Sequence, residues 1–245
     1  MISACSRLIS LKSLSFSVEG RSLFKDLSLS LERGEILVIM GHSGVGKTSL
    51  LSLIFEELNY VNSELAQLRS YYLEQGGSYI PFVSIEKNIE IALSQAGLPN
   101  DSVSIERLCS IIGLSNRKKN YPAQLSGGEK QRLSLVLMMA ANPELALCDE
   151  PLSSLDEIAK FSILEMFRGV LKKAGTACIY VTHSIEEAIF IGDRVVVIDG
   201  KGIKGELSLS CSKDGTNKDR WSDSYRESCR ALSNLLQTEL LNLAV

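Results

Sequence analysis

The strongest constraint in this sequence is a glycine-rich segment that directly follows a short apolar run. The run Glu35–Met40 has the sequence EILVIM, which is typical of a strand covered on both faces. The segment Gly41–Thr48 matches the pattern G-x-x-x-x-G-K-[ST], and a helical pattern follows it to about Leu58. Glycines let the backbone curl so that N–H groups face phosphate oxygens, and the helix start adds partial positive charge. The sequence therefore predicts a phosphate-binding loop (P-loop).

Two side chains of the P-loop are expected to act on a nucleotide. Lys47 would supply positive charge to the β and γ phosphates, and the Thr48 hydroxyl could ligate Mg²⁺. His42 is expected to be only a loop residue. The alternative, an ordinary glycine-rich turn with a chance lysine, is disfavoured by the strand and helix on either side. The predicted nucleotide-binding residues here are Gly41, His42, Ser43, Gly44, Val45, Gly46, Lys47, Thr48 and Ser49.

A second apolar run, Leu145–Cys148, ends in the acidic pair Asp149 and Glu150. Ligands of open α/β sheets bind at the carboxyl ends of the strands, so this pair is expected beside the P-loop. Asp149 would hold Mg²⁺, and Glu150 would act as general base toward an attacking water. An acidic pair after a strand is otherwise often a helix cap, but the P-loop favours the catalytic interpretation.

A third motif, Leu125–Arg132, has the sequence LSGGEKQR. A serine and two glycines there open an amphipathic helix. Such a start exposes N–H groups and a hydroxyl, which suits a second anion site at Ser126, Gly127 and Gly128. An ordinary N-cap is the alternative that these residues alone leave open.

Buried strands alternate with helical patterns along the chain, which predicts a parallel sheet of the α/β class. The first two segments, Leu8–Val18 and Leu23–Leu31, alternate apolar and polar residues and predict an antiparallel pair. Residues Gly76–Ala123 indicate a helical insertion, Asn59–Glu74 give no clear prediction, and Gly205–Ser224 indicate a loop or linker. Further strands are expected at Thr176–Thr182 and Arg194–Asp199, and helices at Ile85–Ala96, Ile105–Ile112, Glu129–Ala141, Asp156–Lys173 and Ile185–Ile191.

The end of the chain is amphipathic and predicts a terminal helix. This helix would either pack on the body of the protein or dock on a partner. The apolar residues at helical spacing are Tyr225, Cys229, Leu232, Leu236, Leu240 and Leu243.

Composition excludes several classes of protein. The chain has 245 residues, 45% hydrophobic and 22% charged, and no apolar run reaches the ~18 residues of a membrane-spanning helix. Its net charge of −3 gives no broad attraction to nucleic acid. No secretory signal is expected, and six cysteines without a CxxC pair suggest reduced thiols in a cytosolic protein. The two histidines lack metal-ligand spacing, which argues against zinc.

Taken in order, the motifs resemble those of ABC-type ATPases. LSGGEKQR resembles the signature motif of that family, and Gln75 with the segment after it resembles the Q-loop. Residues Ser153–Asp156 resemble the D-loop, and His183 resembles the switch histidine. The resemblance covers roughly Leu8–Asp199, and five ordered motifs make a chance match negligible.

The resemblance implies a RecA-like P-loop NTPase core with an N-terminal antiparallel β subdomain and a helical signature subdomain. The ATPase domain would span residues 6–205, with the helical subdomain at about 76–141. A linker and a C-terminal amphipathic helix would occupy 206–245. Two such domains would bind head to tail around two ATP molecules.

The resemblance also assigns site roles. Each site would join Gly41–Ser49 of one subunit to Ser126–Gly128 of the other. Glu150, His183 and Gln75 would be catalytic: His183 would contact the γ-phosphate, and Gln75 would contact Mg²⁺ or the attacking water. Thr48, Gln75 and Asp149 would hold the metal, and Asp156 would help to join the subunits.

The function implied is ATP hydrolysis in an ABC membrane transporter. The run after Thr182 resembles importer ATPases, especially those for nitrate, taurine and other sulfonates. Transmembrane permease subunits, a second copy and, indirectly, a solute-binding protein would be the partners, at the inner face of the cell membrane. Nucleic acid is not expected as a partner. An exporter or lipoprotein-release subunit, or a non-transport ABC ATPase, stays an alternative; a regulatory binder without hydrolysis is disfavoured.

Two departures from the family pattern concern the base and local topology. Val18 stands where an aromatic residue usually stacks on adenine, and Phe16 or Phe24 would have to substitute. The interval from Lys47 to Gln75 is short and lacks the usual glycine-marked hairpin. Neither departure affects a group expected to contact phosphate.

Overall fold

The computed structural model describes residues 7–18, 21–58, 67–153, 155, 157–209 and 223–237. Two strands, β1 (Arg7–Val18) and β2 (Arg21–Glu32), pair antiparallel, with Leu14 opposite Leu27. Their alternate apolar side chains are buried because only one face of this ribbon packs on the body. The predicted antiparallel pair is confirmed.

A six-stranded sheet forms the centre of the protein, with parallel strands except at one edge. In spatial order its strands are β4 (Ser70–Leu73), β5 (Leu145–Asp149), β6 (Ala177–Val181), β3 (Ile36–Met40), β7 (Arg194–Asp199) and β8 (Gly202–Ser208). β3 to β7 run parallel, and β8 is antiparallel to β7. β3, β5 and β6 are buried along their whole length, as their continuous apolar sequences predict.

Helices cover both faces of this sheet. They are α1 (Lys47–Glu56), α2 (Ile85–Gln95), α3 (Ser102–Ile111), α4 (Gly127–Ala141), α5 (Glu157–Ala174), α6 (Ile185–Ile191) and α7 (Asp223–Gln237). Short 3-10 helices at Ser115–Arg117 and Pro122–Gln124 lead into α4. Side-chain caps define several starts, since Ser84, Asp101 and Ser184 each accept a main-chain N–H of the following turn.

The segment between β4 and β5 forms a helical unit with its own apolar core. Ile85, Cys109 and Leu133 from α2, α3 and α4 are fully buried there. Residues 76–123 are all described and contain no strand, as predicted. The boundaries drawn at residues 6–205 and 206–245 stay predictions.

Two strands differ from the sequence-based expectations. β4 lies in the segment that gave no clear prediction, of which residues 59–66 lie outside the described part. The expectation of a linker from Gly205 is wrong for its first residues, because β8 continues to Ser208. β8 is an edge strand with several exposed side chains, so its polar sequence resembles that of a loop. Residues 210–222 lie outside the described part.

The C-terminal helix α7 packs on the body. Leu232 is fully buried and belongs to the same core as Val38 and Met40 of β3. α7 contacts α6, β7 and β8. Among the described residues, no helix is long and apolar enough to cross a membrane.

Candidate active site

The predicted functional residues follow four neighbouring parallel strands. β3 leads into the P-loop, β4 is followed by Gln75, β5 ends in Asp149, and β6 is followed by His183. Since parallel strands end at one edge of a sheet, the fold brings these residues to the same side of the molecule.

Glycine is required at two positions of the P-loop for different reasons. Gly46 has φ +101° and precedes the first turn of α1, a left-handed conformation that side chains rarely adopt. A Cβ on Gly41 would lie 2.5 Å from the carbonyl oxygen of Ile198 in β7. The first glycine therefore lets the loop pack directly against the sheet.

Lys47 lies folded back over this loop. Its Nζ donates to the carbonyl oxygens of Gly41 at 2.8 Å and His42 at 3.0 Å, and the residue is only 7% exposed. Burial lowers the pKa of Lys47 below its ordinary value, although the carboxyls of Glu150 and Asp149 act in the opposite direction. A phosphate oxygen can replace either carbonyl as acceptor, so the ammonium group is ready for an anionic ligand.

Thr48 and Asp149 meet at the first turn of α1. The Thr48 side chain is hydrogen-bonded to the Asp149 carboxyl, which is 4% exposed. Burial raises the pKa of Asp149, while Thr48 and Lys47 oppose that shift. A hydroxyl and a carboxylate are oxygen ligands that suit Mg²⁺. In the described residues, no group of three or more His, Cys, Asp or Glu side chains could hold a metal by itself.

Glu150 lies between Gln75 and His183. Its Oε1 is 3.2 Å from His183 Nδ1, and Gln75 Nε2 donates to Oε2 at 3.5 Å. The backbone of Glu150 has φ +43°, which is uncommon for a residue with a side chain and often marks a functional site. Its N–H donates to the Val181 carbonyl at 3.1 Å. The three predicted catalytic side chains are therefore in contact, and Glu150 is at the centre.

A buried carboxylate beneath the His183 loop was missed by the sequence analysis. Glu187 of α6 is 4% exposed, and its Oε2 accepts from Tyr180 Oη at 3.0 Å and Thr182 Oγ1 at 2.9 Å. Its Oε1 pairs with Lys160 Nζ of α5 at 2.8 Å. Thr182 in turn accepts from the Ser184 N–H. Glu187 thus fixes the residues on both sides of His183, and only an acidic residue in the first turn of α6 hinted at this.

The Gln75 segment is attached to the helical unit by two further polar residues. Ser78 N–H donates to Ser134 Oγ of α4 at 3.0 Å. Asn88 of α2 is 3% exposed and binds both the N–H and the carbonyl of Ile80. Movement of the helical unit would therefore pull directly on the chain beside Gln75.

Ser126 caps α4, as one of the two interpretations predicted. Its Oγ accepts from the Glu129 N–H, and Glu129 Oε2 accepts from the Ser126 N–H at 2.8 Å. That backbone hydrogen bond is the main cause that lowers the pKa of Glu129, and Arg117, 2.6 Å away, adds to it. The cap does not exclude an anion, because the glycine N–H groups of the first turn lack intrahelical acceptors.

The start of α4 packs against the loop that follows Glu150. Gln131 Nε2 donates to Ser153 Oγ at 3.3 Å. A Cβ on Gly128 would lie 2.8 Å from Leu155 Cδ2, so the Leu155 side chain packs directly on this glycine. The signature segment and the D-loop segment are thus in contact within one chain. Ser154 and Asp156 lie outside the described residues.

The two phenylalanines considered for base stacking are stacked on each other. The ring centroids of Phe16 and Phe24 are 5.9 Å apart. Phe24 is 1% exposed, and its ring would lie 3.1 Å from a Cβ on Gly46. Phe24 therefore supports the P-loop from inside the protein, and of these two rings the half-buried Phe16 is the one with a surface to offer a base.

Comparisons with known proteins show which family the chain resembles. A family model described as ABC transporter matches residues 24–153. The Fe(3+) ions import ATP-binding protein FbpC 2 of Rhizobium meliloti (strain 1021) is 35% identical over 194 residues, which are 74% of this chain and 49% of that protein. The taurine import ATP-binding protein TauB of Escherichia coli (strain K12) is 32% identical over 191 residues, which are 73% of this chain and 74% of that protein. The chain thus spans about half the length of the iron-import relative.

Solved structures show the same fold. A dimeric post-hydrolysis state of the ATP-binding cassette MJ0796 with ADP and Pi has a TM-score of 0.69 at 23% identity. It covers 82% of this chain and 97% of that one. A second structure, of the ATP-binding subunit of an ABC transporter, has a TM-score of 0.67 at 21% identity and covers 89% and 98%. The predicted RecA-like α/β fold is confirmed, and the chain belongs to the ABC transporter family.

Proposed function

We propose that the chain is the ATP-binding and ATP-hydrolysing subunit of a membrane importer. The observation that carries this proposal is the convergence of Lys47, Asp149, Glu150 and His183 at one edge of the sheet. The P-loop Gly41–Ser49 would bind the phosphates. Lys47 Nζ would then donate to phosphate oxygens instead of to its two carbonyl acceptors. A buried cation surrounded by main-chain N–H groups stabilises charge that spreads over a transferred phosphoryl group.

Glu150 is the proposed general base. Its carboxylate would accept a proton from the water that attacks the γ-phosphorus, while ADP leaves with the bridging oxygen. His183 and Gln75, in contact with opposite oxygens of Glu150, would orient that carboxylate and the γ-phosphate. No covalent enzyme intermediate is needed, because positioning and charge neutralisation supply the catalysis.

Mg²⁺ would be held by Thr48 and Asp149, with Gln75 as a third oxygen ligand. The ion would neutralise phosphate charge when bound. The oxygen chemistry of these side chains and the burial of Asp149 support this assignment.

The second half of each site would come from a second copy of the chain. Ser126, Gly127 and Gly128 open α4 with main-chain N–H groups, which is an anion-binding end of a helix. In a head-to-tail dimer these residues would contact the γ-phosphate bound to the other subunit. ATP would then close the dimer because it touches both halves, and hydrolysis would weaken that closure. Asp156, expected at the same interface, lies outside the described residues.

Import, rather than export, is supported by the names of the relatives. Relatives at 32–35% identity are named as import ATP-binding proteins for Fe(3+), methionine, taurine and aliphatic sulfonates. Because those solutes differ, we assign only a small solute to this chain, with a nitrate-, taurine- or sulfonate-like one as the finer proposal. Permease subunits would bind at the cytoplasmic face of the membrane, and a solute-binding protein would act indirectly.

The test combines a biochemical and a cellular measurement. The purified chain should hydrolyse ATP only when Mg²⁺ is present, and a pull-down of the native complex should recover a multi-span membrane protein. ATP hydrolysis by the purified chain, combined with a pull-down that recovers no membrane protein, would favour a non-transport ATPase. If the purified chain does not bind ATP, the proposed function as a whole is wrong.

A further inference from the structure

The C-terminal helix α7 is hydrogen-bonded to the P-loop. His42 Nε2 lies 3.0 Å from the main-chain oxygen of Leu236, which is 194 positions later in the sequence. A carbonyl oxygen can only accept, so Nε2 carries the proton and donates. The carbonyls of the last helical turn lack intrahelical partners, and the P-loop side chain satisfies one of them.

The Leu236 carbonyl is held in place by the core of the protein. Leu232, one turn earlier, is fully buried, and Leu235 packs on β8. A Cβ on Gly205 would lie 2.7 Å from Leu235 Cδ2, so the Leu235 side chain lies directly against the backbone of that strand. The end of α7 is therefore a fixed point against which a loop can be positioned.

The main chain of His42 belongs to the phosphate-binding machinery. Its carbonyl accepts from Lys47 Nζ at 3.0 Å and from the Val45 N–H at 3.3 Å. His42 thus contacts α7 with its side chain and contacts Lys47 and Val45 with its backbone carbonyl. When Lys47 turns to a phosphate, the bond to Leu236 does not have to break, and it keeps this end of the loop in place.

We propose that His42 is a positioning residue of the nucleotide site and that docked α7 is its support. A loop already fixed in its binding conformation loses less conformational freedom when the phosphates bind, so nucleotide affinity is higher with α7 docked. Because coupling between two binding equilibria is reciprocal, bound nucleotide must strengthen the docking of α7 by the same factor. This inference rests on the proposed nucleotide binding at the P-loop.

The first experiment uses the full chain, ADP as the probe and calorimetry as the measurement. His42→Ala should raise the Kd for ADP by about three- to tenfold, the range expected for loss of one hydrogen bond. His42→Gln should restore most of the affinity, because its amide nitrogen stands as many bonds from Cα as Nε2 does. His42→Asn, whose amide is one bond shorter, should behave like the alanine variant.

Hydrogen exchange then measures the reciprocal effect, which a purely structural role of His42 would not produce. Amides of α7 in the wild-type chain should exchange about three- to tenfold more slowly with saturating ADP, and this protection should vanish in His42→Ala. Leu235→Ala, which loosens α7 at β8, should weaken ADP binding without touching the P-loop. Leu108→Ala on α3, also a partly buried leucine, is the matched control and should leave ADP affinity unchanged.

The outcomes separate this inference from the proposed function. If the wild-type chain fails to bind ADP, the proposed function itself is wrong. If the wild-type chain binds ADP, two results would refute only the positioning role. One is that His42→Ala and His42→Asn bind ADP as tightly as the wild type, and the other is that ADP does not change the exchange rates of α7 amides. Equal weakening by Leu108→Ala and Leu235→Ala would also refute it, because the effect would then reflect stability alone.

Discussion

His183 and Glu150 face each other at the ends of two neighbouring strands, with Nδ1 and Oε1 3.2 Å apart. β6 and β5 pair in register up to Asp149 and Val181, so the residues that follow each strand meet without a long loop. The sheet itself therefore fixes the distance between the proposed base and its histidine partner.

Glu150→Gln should abolish most ATP turnover while ATP still binds. Glutamine keeps the shape of Glu150 and one accepting oxygen but cannot take a proton from water, so we expect kcat to fall by about 10²–10⁴-fold. Steady-state phosphate release and calorimetry measure the two effects. Glu144→Gln, on an exposed ion pair with Arg33, is the control and should leave turnover unchanged. Unchanged turnover in Glu150→Gln would remove Glu150 as the base.

Lys47→Ala should lose ATP affinity. The substitution removes the buried ammonium that the P-loop holds between two carbonyls, and with it the charge for the β and γ phosphates. Titration calorimetry with ATP measures the loss. Lys87→Ala, which removes an exposed lysine paired with Glu90, should bind ATP normally. Equal affinity in both variants would refute the phosphate role of Lys47.

Ser126→Arg should block the ATP-driven dimer. A long cation at the start of α4 would fill the space needed by the γ-phosphate of the other subunit. Light scattering in the Glu150→Gln background measures the dimer. Loss of the cap should cost about 1 kcal/mol, leaving the monomer folded. Asp101→Arg removes the cap of α3 in the same helical unit and should still dimerise. A normal dimer with Ser126→Arg would contradict the arrangement in trans.

Glu187→Ala should destabilise the protein by about 3 kcal/mol, because it leaves Lys160 without its partner and two hydroxyls without an acceptor. Urea unfolding measures the free energy. Glu187→Gln should be milder, since its amide oxygen can still accept from Tyr180 or Thr182. Both variants should lower kcat through the His183 loop. If Glu187→Ala were as stable as the wild type, the Glu187 carboxylate would not contribute to the stability of the fold.

Asp193→Asn should remove a pH-dependent part of the stability. Burial opposes the ionisation of Asp193, but hydrogen bonds from Lys172, the Ile36 N–H and Arg168 outweigh it and lower the pKa to about 2. A carboxyl with a lowered pKa stabilises the fold above its unfolded pKa and loses that effect as pH falls through the folded value. The wild-type protein should therefore have a free energy of unfolding about 2 kcal/mol above that of Asp193→Asn at pH 7, and this difference should shrink between about pH 4 and pH 2. Urea unfolding at several pH values tests this, and a constant difference would contradict it.

The sequence was most informative where function requires contiguous residues. The P-loop, the pair Asp149-Glu150 and the buried strands could be predicted because each depends on local spacing or a continuous apolar run. β8 could not, since an edge strand with one exposed face has the composition of a loop. Long-range polar contacts could not be predicted either. Neither the hydrogen bond from His42 to Leu236 nor the polar partners of Glu187 produce a local sequence pattern.

Helix α4 has a geometric consequence of its own. β4 and β5 are parallel neighbours, so the chain must return across the sheet between them, and α4 makes that return. Its 15 residues span about 22 Å, and three residues separate its end from β5. The length of the helix therefore sets the distance between the sheet and the Ser126 segment. Inserting or deleting one residue in α4 would rotate Ser126–Gly128 by about 100° around the helix axis and shift them by about 1.5 Å. The length of this helix is therefore as tightly constrained as the sequence at its start.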